Sequence, residues 1–298
     1  MAHDENARYP LEVIGAHARH MGRALLLGAF ACAPALALVG CGADGRTRGV
    51  VTAQPVASGH RPAASRLPRG SEYTLMQMNL CLSGLAACYR KVAYPAVVQE
   101  AVSKIREARP DAVTFNEACA NDVSAIARRT GYRVRFSSVS YGRGPLECIR
   151  PGGRGVFGDA VLTRTAIVSS DHRAFASQTD IEHRQWLCVT TQTGIDVCTA
   201  HLSERIPIEV VANNGQCAEL AVLLARRAAT RTVIFGGDLN RRSPCAPAGF
   251  WTRTDTAAGQ NPGLQQVYGT GVLRSPSAEV LPARHTDHDV LVVHAQVA

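Results

Sequence analysis

Sheets covered by helices, an α/β fold, are what the sequence predicts, and three observations carry that expectation. Short β-branched apolar runs such as Thr232-Val-Ile-Phe235 read as buried strands. Longer segments such as Tyr94 to Ala108, with Val97, Val98, Ala101, Val102 and Ile105 at helical spacing, read as amphipathic helices. The two kinds of segment alternate along the chain.

Taken in order, Tyr73 to Asn79 is strand-like, and the helix from Tyr94 stops before Pro110. Asp111 to Phe115 is again strand-like, and Asn121 to Arg129 reads as a helix capped by Asn121. A strand follows from Tyr132 to Val139, and Tyr141 to Gly158, rich in Gly, Arg and Pro, reads as a loop. Strands are expected at Ala160 to Val168, Arg184 to Thr190 and Ile195 to His201. A helix bearing Leu220, Leu223 and Leu224 precedes the run at Thr232, and Val290 to Val293 is the last strand.

The first 71 residues are of another character. Met21-Gly-Arg23 followed by ALLLGAFACAPALALV has the positive start and apolar run of a secretory signal, with Met21 as a possible true start. Leu38-Val39-Gly40-Cys41 matches a bacterial lipobox, so Cys41 is expected to carry lipid. Pro34 and the glycines make the run a poor permanent span. Residues 42–71 read as a flexible linker, and one folded domain is expected over residues 72–298. The protein is thus expected to be exported, either held on the outer face of the cell membrane or secreted, and monomeric.

Eight cysteines follow Cys41, an even number in an exported chain, which argues for disulfides. Sequential pairing is expected: Cys188–Cys198 across a hairpin turned at Thr193-Gly194, then Cys81–Cys88, Cys119–Cys148 and Cys217–Cys245. A zinc site competes, but no CxxC pair occurs.

A net charge of +8 admits an acidic partner, nucleic acid or an anionic lipid surface. Only Lys91 and Lys104 among the 32 basic residues are lysines, a skew that ordinary surface arginines also produce. Arg128, Arg129, Arg133, Arg135, Arg143, Arg150 and Arg154 cluster in sequence and could grip a polyanion.

Chemistry-bearing residues recur at the ends of apolar runs. Asp238 and Asn240 follow TVIFGG, whose glycines would let a ligand come close to the main chain. Asn79 follows YTLMQM, Glu117 follows AVTFN, His201 follows DVCTA, and Asp287-His288 precede Val290-Leu-Val-Val. Singly, each has an ordinary reading: Asp238 caps an Asx turn, Asn79 starts a turn, Glu117 caps a helix, and His201 is a structural histidine. Together they could converge on one pocket.

The ordered set MNLC, FNE, GDAVLTR, TAHLS, GGDLN and TDHDVLVV resembles the endonuclease/exonuclease/phosphatase superfamily over about residues 72–298. The resemblance implies a four-layer α/β sandwich, two mixed β-sheets packed face to face with helices outside. It also implies metal-assisted hydrolysis of phosphate esters, in nucleic acid or phospholipid. Glu117 would be the Mg²⁺ ligand, with Asn79 and Asp287 assisting and Mn²⁺ an alternative metal. Asp238 and Asn240 would orient water and the phosphoryl group. His288, with Asp238, would take the water's proton, and His201 would stabilise the phosphoryl oxygens or protonate the leaving group. Two departures stand out: LQQVYGTGV lacks the aspartate expected to orient His288, so Gln265 or Gln266 would stand in, and YRVRFSSVSY offers no carboxylate to His201. Tyr141 is a weak match to a phosphate-contacting tyrosine, and His285 reads as surface. The alternative reading is a catalytically weak or silent surface lipoprotein that binds a ligand or protein on the same scaffold.

Overall fold

The fold is described from a computed structural model covering residues 67–298, apart from residues 86, 143 and 180. The signal, the lipobox at Cys41 and most of the expected linker lie outside the described residues. The first strand, β1, spans Glu72–Asn79 and is followed by helix α1 (Ala96–Ala108), strand β2 (Ala112–Cys119) and helix α2 (Ala120–Thr130). Next come β3 (Arg133–Ser138), the short β4 (Ser140–Tyr141) and β5 (Gly144–Pro145), β6 (Phe157–Thr163) and β7 (Ile167–Ala174). A short β8 (Glu182–His183) leads into the hairpin of β9 (Gln185–Thr191) and β10 (Ile195–Ala200). Helix α3 (Val210–Ala228) precedes β11 (Thr232–Asp238), β12 (Phe250–Thr254), β13 (Gln265–Thr270), β14 (Leu273–Leu281) and β15 (Val290–Val297).

Two six-stranded sheets result, with orders β14-β15-β1-β2-β6-β3 and β12-β13-β11-β10-β9-β7. Each is built round one parallel pair, β1–β2 and β10–β11, flanked by antiparallel strands. A parallel pair needs a long crossover, and here each crossover contains a helix, α1 in the first sheet and α3 in the second. Strand β4 joins β5 and β8 in a small separate sheet.

Alternation along β1 explains the layers. Leu75 and Tyr73 face the second sheet, packing with Val189, Val197, Ile234 and Val267, while Met76 and Met78 face α1 and α2 through Val98, Ile105 and Ile126. On the outer face of the second sheet, Val233 and Phe235 pack against Leu220 and Leu224 of α3. This is the four-layer sandwich. Each of these side chains contributes about 1.5–3 kcal/mol by leaving water. The five apolar positions expected on α1 are the five it buries.

All four sequential disulfides are present, and Cys188 and Cys198 are direct cross-strand partners. Elsewhere the expectations need correction. The single strand expected at Ala160 to Val168 is two, β6 in one sheet and β7 in the other, with the chain crossing between sheets at residues 164–166. Helix α2 has no side-chain cap, and Asn121 instead donates Nδ2 to the Gly153 carbonyl. The loop expected over Tyr141 to Gly158 contains β5 and the start of β6.

Gly236 and Gly237 serve packing rather than ligand approach. A Cβ on Gly236 would lie 2.5 Å from Thr114 Oγ1 across the sandwich, and one on Gly237 would lie 2.3 Å from the Ala200 carbonyl oxygen. At this end the seam between the sheets turns polar. Gln77 Nε2 donates to Asn116 Oδ1 (2.8 Å), Asn116 Nδ2 to Asp159 Oδ1 (2.8 Å), and the Asp238 amide to Asn116 Oδ1 (2.7 Å).

Candidate active site

The parallel pairs place the ends of β1, β2, β10 and β11 at one end of the sandwich, and the expected residues meet there. Asn79 is 1% exposed, and its Nδ2 donates to both Glu117 Oε1 (2.8 Å) and Asp238 Oδ2 (2.9 Å). One carboxamide therefore ties together carboxylates from the two sheets. Its Oδ1 accepts from the Cys81 amide at 3.0 Å, which turns the chain out of β1.

Glu117 lies in β2 where the register with β6 shifts between Phe115 and Ala118, and its φ is +54°. A bulge of this kind re-aims a side chain, and a left-handed conformation at a non-glycine residue has an energetic cost. The effect is to point Glu117 at the strand ends, with its side chain 15% exposed. Burial pushes its carboxyl up to about 7; the Asn79 hydrogen bond opposes this and the Asp287 charge adds to it. Asp287 is half-buried, and the loop bearing it is pinned where Thr286 Oγ1 donates to the Asn79 carbonyl.

Asp238 Oδ1 accepts from the Asn240 amide at 3.0 Å, an Asx turn of the ordinary kind, with Asn240 at φ +51°. Burial opposes its ionisation, but His288 and His201 outweigh that, and the carboxyl sits below its usual 3.8. His288 Nε2 stands 3.4 Å from Asp238 Oδ2.

The two histidines are in opposite electrical states. Burial and then the neighbouring Arg184 hold His201 well below 6.5. Arg184, which has only donors, stands 2.5 Å from His201 Nδ1, and the Asn240 amino group, which also donates to the Leu202 carbonyl, stands 3.0 Å from Nε2; the neutral ring has one acceptor nitrogen for these two donors. Nε2 also lies 3.8 Å from Glu117 Oε1. For His288, burial is outweighed by Asp238, Asp287, Glu117 and Asp255, and the ring is held above 6.5.

The stand-ins expected for the missing aspartate do not act on His288. Gln265 donates to Asp255 Oδ2 and to the Asp289 carbonyl, while Gln266 donates to the Arg241 carbonyl and accepts from Tyr268. His288 Nδ1 is buried and has no hydrogen-bond partner among the described residues. Asp289 binds the Ala283 and Gly259 amides and so shapes the loop around the histidine.

Two residues escaped sequence reasoning. Arg184 is 5% exposed, bridges Glu182 at 3.0 Å and orients His201, but its sequence context is only the start of a strand. Asp159 sits within GDAVLTR, where its place on a strand hides that it faces the polar seam, with Oδ2 unpartnered. Correction is also due to the arginine cluster. Arg154 is buried, holding Asp122 and the Leu82 carbonyl, and Arg128, Arg129 and Arg133 lie at the opposite end of the sandwich. Arg143 lies outside the described residues. Arg150, stacked 4.3 Å over Tyr89, stays on the loops near the site.

Cys81, Cys88 and Glu117 form a compact cluster, but the two sulfurs are joined in a disulfide, leaving no thiolate to bind metal. The remaining donors, Glu117 and Asp287, are hard oxygen ligands; Asn79, expected as a third, turns its Nδ2 to Glu117 and Asp238 and its Oδ1 to the Cys81 amide, so it positions Glu117 instead. A buried carboxylate raised to about 7 beside a second one fits a hard divalent cation, whose charge would relieve both.

Among curated proteins none matches the chain. Solved structures share the fold. An endonuclease/exonuclease/phosphatase from Beutenbergia cavernae DSM 12333 aligns at TM-score 0.56 and 17% identity, covering 78% of this chain and 72% of that one. The human Nocturnin catalytic domain with bound sulfate anion aligns at TM-score 0.58 and 14% identity, covering 77% and 95%. D. rerio TDP2 complexed with single strand DNA product aligns at 0.54 and 13%, covering 76% and 100%. The sequence model of the Endonuclease/Exonuclease/phosphatase family matches residues 88–288. The chain therefore belongs to that family, whose members are hydrolases of phosphoester bonds.

Proposed function

We propose that the protein is an exported, lipid-anchored phosphodiesterase dependent on Mg²⁺ or Mn²⁺. The observation that carries the reading is the Asn79 carboxamide bridging Glu117 and Asp238, with His201 beside Glu117 and His288 beside Asp238. Glu117 and Asp287 would hold the cation, with Asn79 fixing the Glu117 carboxylate. When bound, it supplies positive charge that offsets the anionic phosphoryl oxygens and the two carboxylates.

The chain's own groups divide the remaining work. Asp238, kept ionised, and Asn240 orient the water. His288 in its unprotonated form takes the water's proton, and the imidazolium that results is stabilised by ionised Asp238, 3.4 Å from Nε2, until it releases the proton to solvent. His201, kept neutral by burial and Arg184, is suited to hydrogen-bonding the phosphoryl group better than to protonating the leaving group.

Nucleic acid is favoured over phospholipid as the substrate. The fold neighbour D. rerio TDP2 is complexed with a single strand DNA product, and Arg150 on Tyr89 offers a cation and a ring near the site. The partnerless His288 Nδ1 favours a second reading, a weak or silent binding protein. Hydrolysis of bis-p-nitrophenyl phosphate with Mg²⁺ or Mn²⁺ decides between them. Wild type should turn over in a metal-dependent way, and Glu117→Ala, His201→Ala and His288→Ala should each fall by ~10²–10⁴. No metal-dependent turnover on this ester, plasmid DNA, RNA or sphingomyelin would leave the binding protein.

A further inference from the structure

We propose that the end of the domain opposite the site is a docking surface for anionic phospholipid headgroups, so that the site faces away from the bilayer. The geometry begins with strand direction. β1 and β2 run in parallel from starts at Glu72 and Ala112 to ends at Asn79 and Cys119, so their starts share the far end. Seven residue steps along β1 put that end about 23 Å from Asn79.

Arginines concentrate there. Residues 105–111, 128–133 and 164 carry Arg106, Arg109, Arg128, Arg129, Arg133 and Arg164 against only Glu107 and Asp111, and all six arginines are exposed. Arg106, Arg109 and Arg164 line a cavity of about 410 Å³ floored by Ile105 and Tyr132. Arg106 reaches across to the Arg129 carbonyl and Arg164 pairs with Asp111, which links the helix ends to the strand starts. Cations at helix C-termini are ordinary, and that accounts for Arg106, Arg128 and Arg129. The same holds for Arg109, the C-cap of α1, but not for Arg133 and Arg164, which lie on or beside strands.

The occupant follows from where the chain enters the domain. Residues 67–71 lead into β1 at this same end, where the Thr74 amide donates to Asp111 Oδ2 beside Arg164. Upstream in the sequence lies the lipobox at Cys41, 26 residues before Leu67, and a random-coil chain of that number of residues would have an r.m.s. span of about 25–30 Å. A lipid on Cys41 would therefore keep these arginines within reach of headgroups, where basic side chains act within a Debye length. Nucleic acid fits less well. Tyr132, the only aromatic in the cavity, is held by its hydroxyl bond to Pro110, and a polymer bound here would lie far from the catalytic groups. The choice of membrane rests on the lipobox reading and is independent of the phosphodiesterase reading.

The test uses the full chain reconstituted through its N-terminal segment into vesicles of phosphatidylcholine, with or without phosphatidylglycerol. Amide hydrogen exchange in residues 105–111 and 128–133 should slow at least fivefold on the anionic vesicles. High salt should reverse the protection, and Arg106→Gln/Arg109→Gln/Arg133→Gln should lack it while its melting temperature and ester hydrolysis stay at wild-type level. Equal exchange on both vesicle types, or protection that survives the triple substitution, overturns the proposal. Protection by duplex DNA added to neutral vesicles, with none from the anionic lipid, would reassign the surface to nucleic acid. None of these outcomes depends on whether the site turns over.

Discussion

Individual residues in this protein are defined by their neighbours more than by their type. Two histidines about one carboxylate are driven in opposite directions, His201 by burial and Arg184, His288 by the surrounding acids. Asp159 makes the same point and is testable through stability. Burial lifts its carboxyl from 3.8 to about 7, despite the Asn116 hydrogen bond and nearby Arg184. The fold thus keeps a proton that the unfolded chain loses above about pH 4, so this contribution is full below that pH and disappears as pH rises through about 7. Asp159→Asn should leave the melting temperature at pH 4 unchanged and raise it by roughly 5 °C at pH 8. Superimposable melting curves at pH 8 would remove the claim. The residues legible in the sequence, Asn79, Glu117, His201 and Asp238, each follow an apolar run that announces a strand end. Arg184 and Asp159 were not legible because a polar residue within or at the head of a strand looks the same whether it meets solvent or a buried partner.

Elements were readable where burial is two-sided and obscure where it is not. The parallel pairs and their crossover helices stand out as continuous apolar runs and helical periods. β12 and β14 are partly exposed and carry threonines, arginines and a glutamate, so no alternation marks them. β6 and β7 merged because Ala166-Ile167-Val168 continues the apolar run across the crossing point. The disulfides give a prediction at this scale. Cys119–Cys148 closes a 29-residue separation and Cys81–Cys88 one of 7. By loop entropy, Cys119→Ala/Cys148→Ala should lower stability by ~3 kcal/mol in denaturant titration. Cys81→Ser/Cys88→Ser should cost less stability but loosen the turn in which Asn79 accepts from the Cys81 amide, weakening metal affinity in calorimetry. If the short bridge proved the more stabilising of the two, its assignment to the site would fail.

At the scale of the molecule, two sheets of the same plan meet where their parallel pairs end, and the seam between them changes from apolar to polar on approaching that end. The layered architecture followed from the order of motifs, whereas the fact that the arginines separate into a structural one, one near the site and a far group depends on strand direction in space. Because the site belongs to both sheets, a ligand there should stabilise the whole fold. Mg²⁺ or Mn²⁺ at a hundredfold excess over its dissociation constant should add about 2.7 kcal/mol by mass action, read as a rise in melting temperature. Glu117→Gln should abolish the rise, and a wild-type melting temperature indifferent to both ions would remove the metal from the proposal.

The doubly donating carboxamide of Asn79 has one more consequence. Asparagine there acts as an electrically neutral clasp between opposing acids, and aspartate, of nearly equal size, would turn the clasp into a third negative charge. Asn79→Asp should therefore fold poorly in chelator and recover when a divalent ion is supplied, converting a permanent fastening into one that the ion must close.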